Sequence, residues 1–458
     1  MKFNLTQILA TFLCFTVLFT ACKKEKGCTD STASNYNPEA EEEDGSCEYP
    51  VNNNAEFANS FAENGNSSED PGVSEDNLVP SNTLSPGAAP SDPWFDIVTY
   101  KGAFDTDWTA DWTLFSGYNP SSVPTSIVNV ENTAVAAGMT TTWTSDNVYL
   151  LNGFCFVEGT LNIEPGTIIK GAEGTGEDAA ALVVAKNATL NANGTASEPI
   201  IMTYEGDNLD GTTSISTRGQ WGGLIVLGNA SLNSSPGETQ IEGIPTDEPR
   251  GIYGGTNDED SSGSITYVSI RHGGTDIGAG NEINGLTLGG VGSGTTINHI
   301  EVIANADDGV EFFGGTARTK NILTAYCGDD CFDYDEGFRG LGQFWCAVQS
   351  SDDGDRGGEH DGGTEPETGT PYATPVIYNV TYIGNGEGRA VTMRDNAGGE
   401  YHNGIFVNWS KGVDIENLES EQDSFKQFTD GNLAFAGNVF WNIASGSSAS
   451  ELFTVSNN

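Results

Sequence analysis

The stretch IEVIANADDGVEFFGG, at positions 300–315, is followed by a second copy of the same pattern, ILTAYCGDDCFDYDEG, at positions 322–337. Each copy has a short strand-forming run, a turn that carries an Asp pair, and a second run with alternating apolar residues. The copies are 22 residues apart, and another Asp pair, Asp352-Asp353, follows 23 residues after the second. A period of this length, built from short strands and tight turns, is typical of one coil of a parallel β-helix.

Similar runs extend toward the N-terminus as VEGTLNIEPG (157–166), LVVAKNATLNANG (182–194) and LIVLGNASLN (224–233). The signature Leu and Asn spacing of a leucine-rich repeat is absent, and a β-sandwich would not place the same acidic pair once per period. We therefore predict an all-β protein with a right-handed, single-stranded parallel β-helix over residues 127–458. An N-terminal cap and a flexible linker are expected before it.

Composition supports the β prediction and excludes one class of partner. The chain has 458 residues, of which 59 are Gly and only 18 % are charged, so it is poor in the usual helix formers. It has 65 acidic and 18 basic residues and a formal charge of −47. Because phosphate binding needs clustered Lys and Arg, nucleic acid is excluded as a partner.

Residues 1–21 are typical of an export signal, since Lys2 precedes an apolar run from Ile8 to Phe19. Thr20-Ala21-Cys22 resembles the lipobox of bacterial lipoproteins, in which the cysteine is diacylated and begins the mature chain. The alternative is an ordinary secretory signal with an incidental cysteine. The lipoprotein interpretation implies an anchor in outer-membrane lipid through Cys22. Exposure at the cell surface is expected, with the periplasmic face as the alternative.

Three segments separate this anchor from the β-helix. Residues 22–50 resemble a short module, Cys-Thr-Asp … Asn-Tyr-Asn-Pro … Asp-Gly-Ser-Cys, in which a Cys28–Cys47 disulfide would staple a segment too small for its own core. Residues 51–93 are rich in Asn, Ser, Gly, Pro and acids and predict a flexible linker. Residues 94–126 are dense in aromatics and predict a cap over the first edge of the sheet, with a sugar-stacking surface as the alternative.

Four longer motifs show a family resemblance: LNIEPGTIIK (161–170), WGGLIVLGN (221–229), NEINGLTLGGVGSGTT (281–296) and DDGVEFFGG (307–315). They are similar to sequences of pectin-lyase-like surface lipoproteins of Gram-negative bacteria. The resemblance covers roughly residues 93–445. It implies a fold and a location in the cell envelope, and it implies no particular activity.

The strongest candidate site is the set of acidic residues that recurs on successive coils between Asp307 and Asp361, which we call the acidic ladder. Stacking of coils about 4.8 Å apart would bring these like charges together. A Ca²⁺ ion with oxygen ligands would offset the repulsion, and raised carboxyl pKa values or solvated turn-capping Asp side chains are the alternatives. The predicted Ca²⁺ ligands are Asp307, Asp308, Glu311, Asp329, Asp330, Asp333 and Asp335.

An enzymatic interpretation assigns catalysis to Asp308, Asp329, Asp330 and Arg339. Polygalacturonase-type hydrolases, which are also β-helices, are similar in placing aspartates at comparable turns. Those enzymes also carry Gly-His-Gly followed by Arg-x-Lys, and this chain lacks that order. A lyase would need Ca²⁺ and an Arg or Lys base, for which the sequence selects no single residue.

These observations predict a cell-envelope lipoprotein whose Ca²⁺-stabilised β-helix binds a glycan or another surface. A polysaccharide lyase or glycoside hydrolase is the first alternative. A purely structural surface protein is the second.

Overall fold

The computed structural model describes residues 26–29, 33, 35–40, 46–47, 55–277, 283–363, 366–418 and 422–457. The chain divides into two units, residues 1–50 and 51–458. In the first unit, Cys28 and Cys47 are joined by a disulfide. The predicted signal segment and the lipidation site Cys22 lie outside the described residues.

The second unit is built almost entirely from short strands, 26 of which belong to one sheet. The strands are β1 Ile127–Val135, β2 Thr140–Trp143, β3 Val148–Val157, β4 Thr160–Ile163, β5 Ile168–Gly171, β6 Ala181–Val184, β7 Thr189–Asn193, β8 Ile200–Tyr204, β9 Leu224–Leu227, β10 Glu238–Gln240, β11 Ile252–Gly254, β12 Gly263–Arg271, β13 Leu286–Gly289, β14 Thr296–Ile303, β15 Val310–Phe313, β16 Arg318–Ala325, β17 Phe332–Asp335, β18 Leu341–Val348, β19 Gly358–Asp361, β20 Val376–Tyr378, β21 Thr381–Ile383, β22 Arg389–Arg394, β23 Gly399–His402, β24 Ile405–Val407, β25 Lys411–Glu416, β26 Leu433–Ala436, β27 Val439–Trp441 and β28 Phe453–Ser456. The helices are α1 Ala55–Glu63, α2 Ser424–Asp430 and α3 Ala449–Leu452.

Strands of successive coils pair in parallel and in constant register. Val310 lies opposite Phe332, and Ile300 lies opposite Ile322, as the 22-residue repeat predicts.

The pairings form three stacked faces. Face 1 contains β2, β4, β7, β20, β23, β26 and the first halves of β12, β14, β16 and β18. Face 2 contains β5, β8, β21, β24, β27 and the second halves of the same four strands. Face 3 contains β6, β9, β13, β15, β17, β19, β22, β25 and β28. The predicted right-handed parallel β-helix is confirmed.

Alternation along each strand sends every second side chain into the coil interior. In β15, Val310 and Phe312 belong to the interior cluster, whereas Glu311 and Phe313 point outward. Aromatic rings stack between coils, as Phe332 does against Trp345 with ring centroids 4.7 Å apart. Burial of these apolar side chains is the main contribution to stability. The outward side chains do not belong to this interior core, so polar and charged residues can occupy their positions.

The described part of the predicted linker, residues 55–93, is packed against the β-helix, so the flexible-linker prediction is wrong for this part. Phe57 of α1 stacks on Phe453 and contacts Phe428, and Phe61 packs on Phe440. Helix α1 thereby covers the last coil. The reason is that a few well-spaced apolar residues bury fully despite the polar composition around them.

The aromatic segment 94–126 also lies elsewhere than predicted. It runs along the outside of face 2, where Phe104 stacks on Trp108 and Tyr100 packs on Phe344. The prediction of a cap over the first sheet edge is therefore corrected, because this segment covers the outer side of face 2. Outward apolar residues of face 2, such as Ile303 and Leu323, need cover along several coils, and this segment supplies it.

A long insertion between β9 and β12, residues 228–262, covers the outer side of face 3 near its first coils. It includes the β10–β11 hairpin and buries Tyr253 against Phe313. The remaining four cysteines of the described residues, Cys155, Cys327, Cys331 and Cys346, are buried thiols. Among the helices that the structure describes, none is long and apolar enough to cross a membrane.

Candidate functional site

The acidic ladder lies on the outer side of face 3, beyond the covering insertion. The parallel register aligns one outward position from coil to coil, and Glu311, Asp333 and Glu359 occupy it in succession. Thr287 precedes them, and Thr392 and Asp414 follow. The acids lie next to one another because the strand register is the same from coil to coil.

The Asp pairs lie in the turn that leads into face 3, where they bond to the next coil. Asp308 Oδ1 accepts a hydrogen bond from the Asp330 backbone N–H at 2.9 Å. Asp330 Oδ1 accepts one in turn from the Arg356 N–H at 2.6 Å. Both side chains are buried, with 8 % and 2 % of their surface exposed. One oxygen of each Asp therefore serves the turn, as the turn-capping alternative requires.

The same side chains also form three groups whose ligand atoms lie within 4.8 Å of one another. These groups are Asp307–Asp308–Asp329, Asp308–Glu311–Asp333 and Asp329–Asp330–Asp355. The structure thus brings together six of the seven predicted Ca²⁺ ligands. Asp335 belongs to none of the groups found among the described residues and lies beside Glu336, whose N–H it accepts. Asp355 is an additional member, an acid of the repeat that was not among the predicted Ca²⁺ ligands.

The group Asp308–Glu311–Asp333 has the features of a cation site. Asn284 donates to Glu311, and Asp333 Oδ1 is buried with no hydrogen-bond partner among the described residues. Burial and the neighbouring Asp307 and Asp330 carboxylates raise the pKa of Asp308 well above its usual range. Burial and Asp308 do the same to the pKa of Glu311.

The pKa of Asp333 is raised by burial and by Glu311, and the pKa of Asp330 by burial and Glu359. A buried carboxylate in such a cluster pairs with an arginine, as Asp330 does with Arg356 at 3.5 Å, or takes up a proton or binds a cation. The donors of the cluster are all carboxylate oxygens, which suit Ca²⁺ or Mg²⁺ and disfavour zinc.

Two arginines contact the acidic ladder, and neither is the Arg339 of the alternative enzymatic interpretation. Arg339 donates to Gly337 O and pairs with Asp258 at 2.9 Å, and its assignment as a catalytic residue stays a prediction. Arg356 instead contacts Glu359 at 2.8 Å, and Arg394 contacts Glu359 at 2.8 Å and Asp361 at 2.7 Å. The contacts of Arg394 follow from the pairing of β19 with β22, whereas Arg356 and Glu359 are three residues apart in one coil.

A second acidic group extends the ladder toward the last coils. Glu416 Oε2 accepts the Asp395 N–H at 2.9 Å. Burial raises the pKa of Glu416 to about 8, and burial together with Asp361 raises the pKa of Asp395 to about 6. The 22-residue period could have located these acids, but the longer loop between β19 and β20 interrupts it.

Comparison with protein families matches residues 135–457 to the pectate-lyase-like β-helix domain. A search of curated proteins and a search of solved structures each found no match. The matched region includes nearly all of the β-helix and the whole acidic ladder. The chain belongs to the family of pectate-lyase-like β-helix domains.

Proposed function

We propose that this protein is a cell-envelope lipoprotein whose β-helix binds Ca²⁺ at the acidic ladder and, through that ion, an acidic glycan or a surface that carries one. The observation that carries the proposal is the group Asp308–Glu311–Asp333, in which two carboxylates are buried and the buried Oδ1 of the half-buried Asp333 has no hydrogen-bond partner among the described residues. Calcium takes about six to eight oxygen ligands. Three carboxylates leave coordination positions for water or for a ligand carboxylate.

Charge supports the bridging role of the ion. At a formal charge of −47, the protein repels an anionic polymer over most of its surface. A bound divalent cation would reverse the sign locally and give such a polymer a point of attachment. Glycan recognition is therefore expected to depend on calcium, and to weaken as salt screens the interaction.

A glycan array with and without Ca²⁺ tests this function. The full-chain protein should bind uronate-containing glycans in Ca²⁺, and chelation with EDTA should abolish the signal. Asp308→Asn should lose the calcium-dependent binding, whereas Asp146→Asn, an exposed acid remote from the ladder, should keep it. Equal binding of the same glycans in Ca²⁺ and in EDTA would contradict the proposal.

A second candidate, a uronate lyase, is favoured by the position of Arg356 and Arg394 on the same outer side as the acids. Their ion pairs oppose a role as the base. Burial lowers the pKa of both arginines, but nearby carboxylates outweigh this effect. Asp330 and Glu359 raise the pKa of Arg356, and Asp361 and Glu359 raise the pKa of Arg394. Both guanidinium groups stay protonated. Formation of unsaturated uronate from polygalacturonate in Ca²⁺ would establish the lyase.

A further inference from the structure

A second site-like feature lies on the outer side of the first coils, apart from the acidic ladder. A cavity of about 280 Å³ is bounded by β1, β3 and the insertion between β9 and β12. Its lining includes Asn132, Asn152, Phe154, Glu248 and Arg250. This volume is slightly below the range of about 300–1,000 Å³ for small-molecule sites, which suits one ring more than an extended chain.

The charged part of the lining is the ion pair of Arg250 with Glu248, which is held in place by its contacts. Arg250 binds Glu248 through two contacts, Nε to Oε1 at 2.8 Å and Nη2 to Oε2 at 2.6 Å. The guanidinium lies 3.8 Å from the centroid of the Phe156 ring. Its Nη1 has only long contacts, 3.4 Å to Thr133 Oγ1 and 4.0 Å to Glu158. One donor of a rigid, half-buried arginine therefore remains available to a ligand.

The neutral part of the lining combines amides with an aromatic ring. Phe154 is half-buried and packs on the cluster beneath it. Asn152 makes only long hydrogen bonds, of 3.2 to 3.4 Å. The exposed side chain of Asn132 has no hydrogen-bond partner in the part of the chain that the structure describes. Two amides and an aromatic side chain thus line the cavity beside the Arg250–Glu248 ion pair.

This combination selects among ligand classes. An anion would face Glu248 and Glu158, and a cation would compete with Arg250 for the same carboxylates. A purely apolar ligand would leave the amides and the free guanidinium donor unpaired, at a cost. A sugar ring offers an apolar face for the aromatic side chain and hydroxyl groups for the amides and the arginine.

We propose that the cavity lined by Asn132, Asn152, Phe154, Glu248 and Arg250 binds a single neutral sugar ring. The proposal rests on the proposed glycan-binding function and adds a second, calcium-independent contact to it.

The test uses full-chain protein in EDTA, so that calcium at the ladder does not contribute. Saturation-transfer NMR and titration are carried out with the methyl glycosides of glucose, galactose, mannose and N-acetylglucosamine. At least one should bind, and Asn132→Gly and Phe154→Leu should each raise its Kd about tenfold. Asn132 and the control position Asn442 both have positive φ, 45° and 53°, so glycine is tolerated at each. Asn442→Gly should bind as the wild type does.

Two results would overturn the inference: no saturation transfer from any of the four glycosides, or unchanged Kd in both cavity variants. Asp308→Asn separates this inference from the proposed function. If Asp308→Asn abolishes glycoside binding in EDTA, the cavity assignment is wrong. If it keeps glycoside binding while the array shows no calcium-dependent glycan, the cavity stands and the proposed role of the ladder falls.

Discussion

Asp333 combines a buried, unpartnered oxygen with a position between two other acids, Glu311 and Glu359. In the absence of a cation, its charge opposes folding. Asp333→Asn should therefore raise the melting temperature in EDTA by about 1–3 °C, and should reduce the further rise that Ca²⁺ produces. Asp146→Asn should change neither value. Thermal melts in EDTA and in Ca²⁺ measure both effects, and a variant less stable than the wild type in EDTA would contradict the repulsion argument.

The raised carboxyl pKa values also predict how stability depends on pH. A carboxyl whose pKa is higher in the folded than in the unfolded chain stabilises the fold when protonated, and this contribution is lost as pH rises through the folded pKa. Asp395 and Glu416, at about 6 and about 8, define the window. In EDTA the melting temperature should fall between about pH 5 and pH 8.

Calcium should oppose this trend, because it binds the deprotonated carboxylates of the ladder. Saturating Ca²⁺ should therefore flatten the fall, and calcium affinity should increase with pH. The measurement is a pH series of melts with and without the ion. A melting temperature in EDTA that rises through the same window would show that the buried acids are not destabilising when charged.

At the scale of elements, helix α1 closes the last coil through Phe57 and Phe61. Because Phe57 is fully buried, Phe57→Ala should cost about 3–5 kcal/mol of unfolding free energy. Asn59→Ala, an exposed change on the same helix, should cost less than about 1 kcal/mol. Urea denaturation of both variants provides the comparison, and equal midpoints would mean that α1 does not contribute to the core.

The predictable elements were those whose contacts repeat along the chain. The pairing of β15 with β17 follows from the spacing of Val310 and Phe332, and the same period places Asp308 beside Asp330. The packing of helix α1 on the last coil could not be predicted in this way, since its contacts join residues nearly 400 positions apart. Contacts that repeat once per coil can be predicted from the period of the sequence, whereas a single long-range contact has no period.

The same distinction applies within the candidate site. The Asp pairs were found because they recur, but the choice of arginine was not predictable from their spacing. Arg394 reaches Asp361 through the pairing of β19 with β22, across a loop of irregular length. Arg339 lies nearer in sequence to the ladder and pairs with Asp258 in the insertion.

At the scale of the whole molecule, the lipoprotein proposal predicts how the protein partitions. In that proposal, acyl chains on Cys22 would provide nearly all of the membrane affinity. Cys22→Ser should move the protein from the membrane to the soluble fraction and abolish fatty-acid labelling. Protease treatment of intact cells should degrade the β-helix if it faces outward. A Cys22→Ser protein that stays with membranes would contradict the lipobox interpretation.

Calcium binding by the folded protein is the most direct test of the central claim. Calorimetric titration of EDTA-stripped, full-chain protein with CaCl₂ should give saturable binding, and the variant combining Asp308→Asn with Asp333→Asn should give none at the ladder. At a free Ca²⁺ concentration 100 times Kd, stability should increase by about 2.7 kcal/mol, which corresponds to a rise of about 3–5 °C in the melting temperature. Absence of binding heat together with an unchanged melting temperature would contradict the account and leave the acids of the ladder as turn-capping side chains.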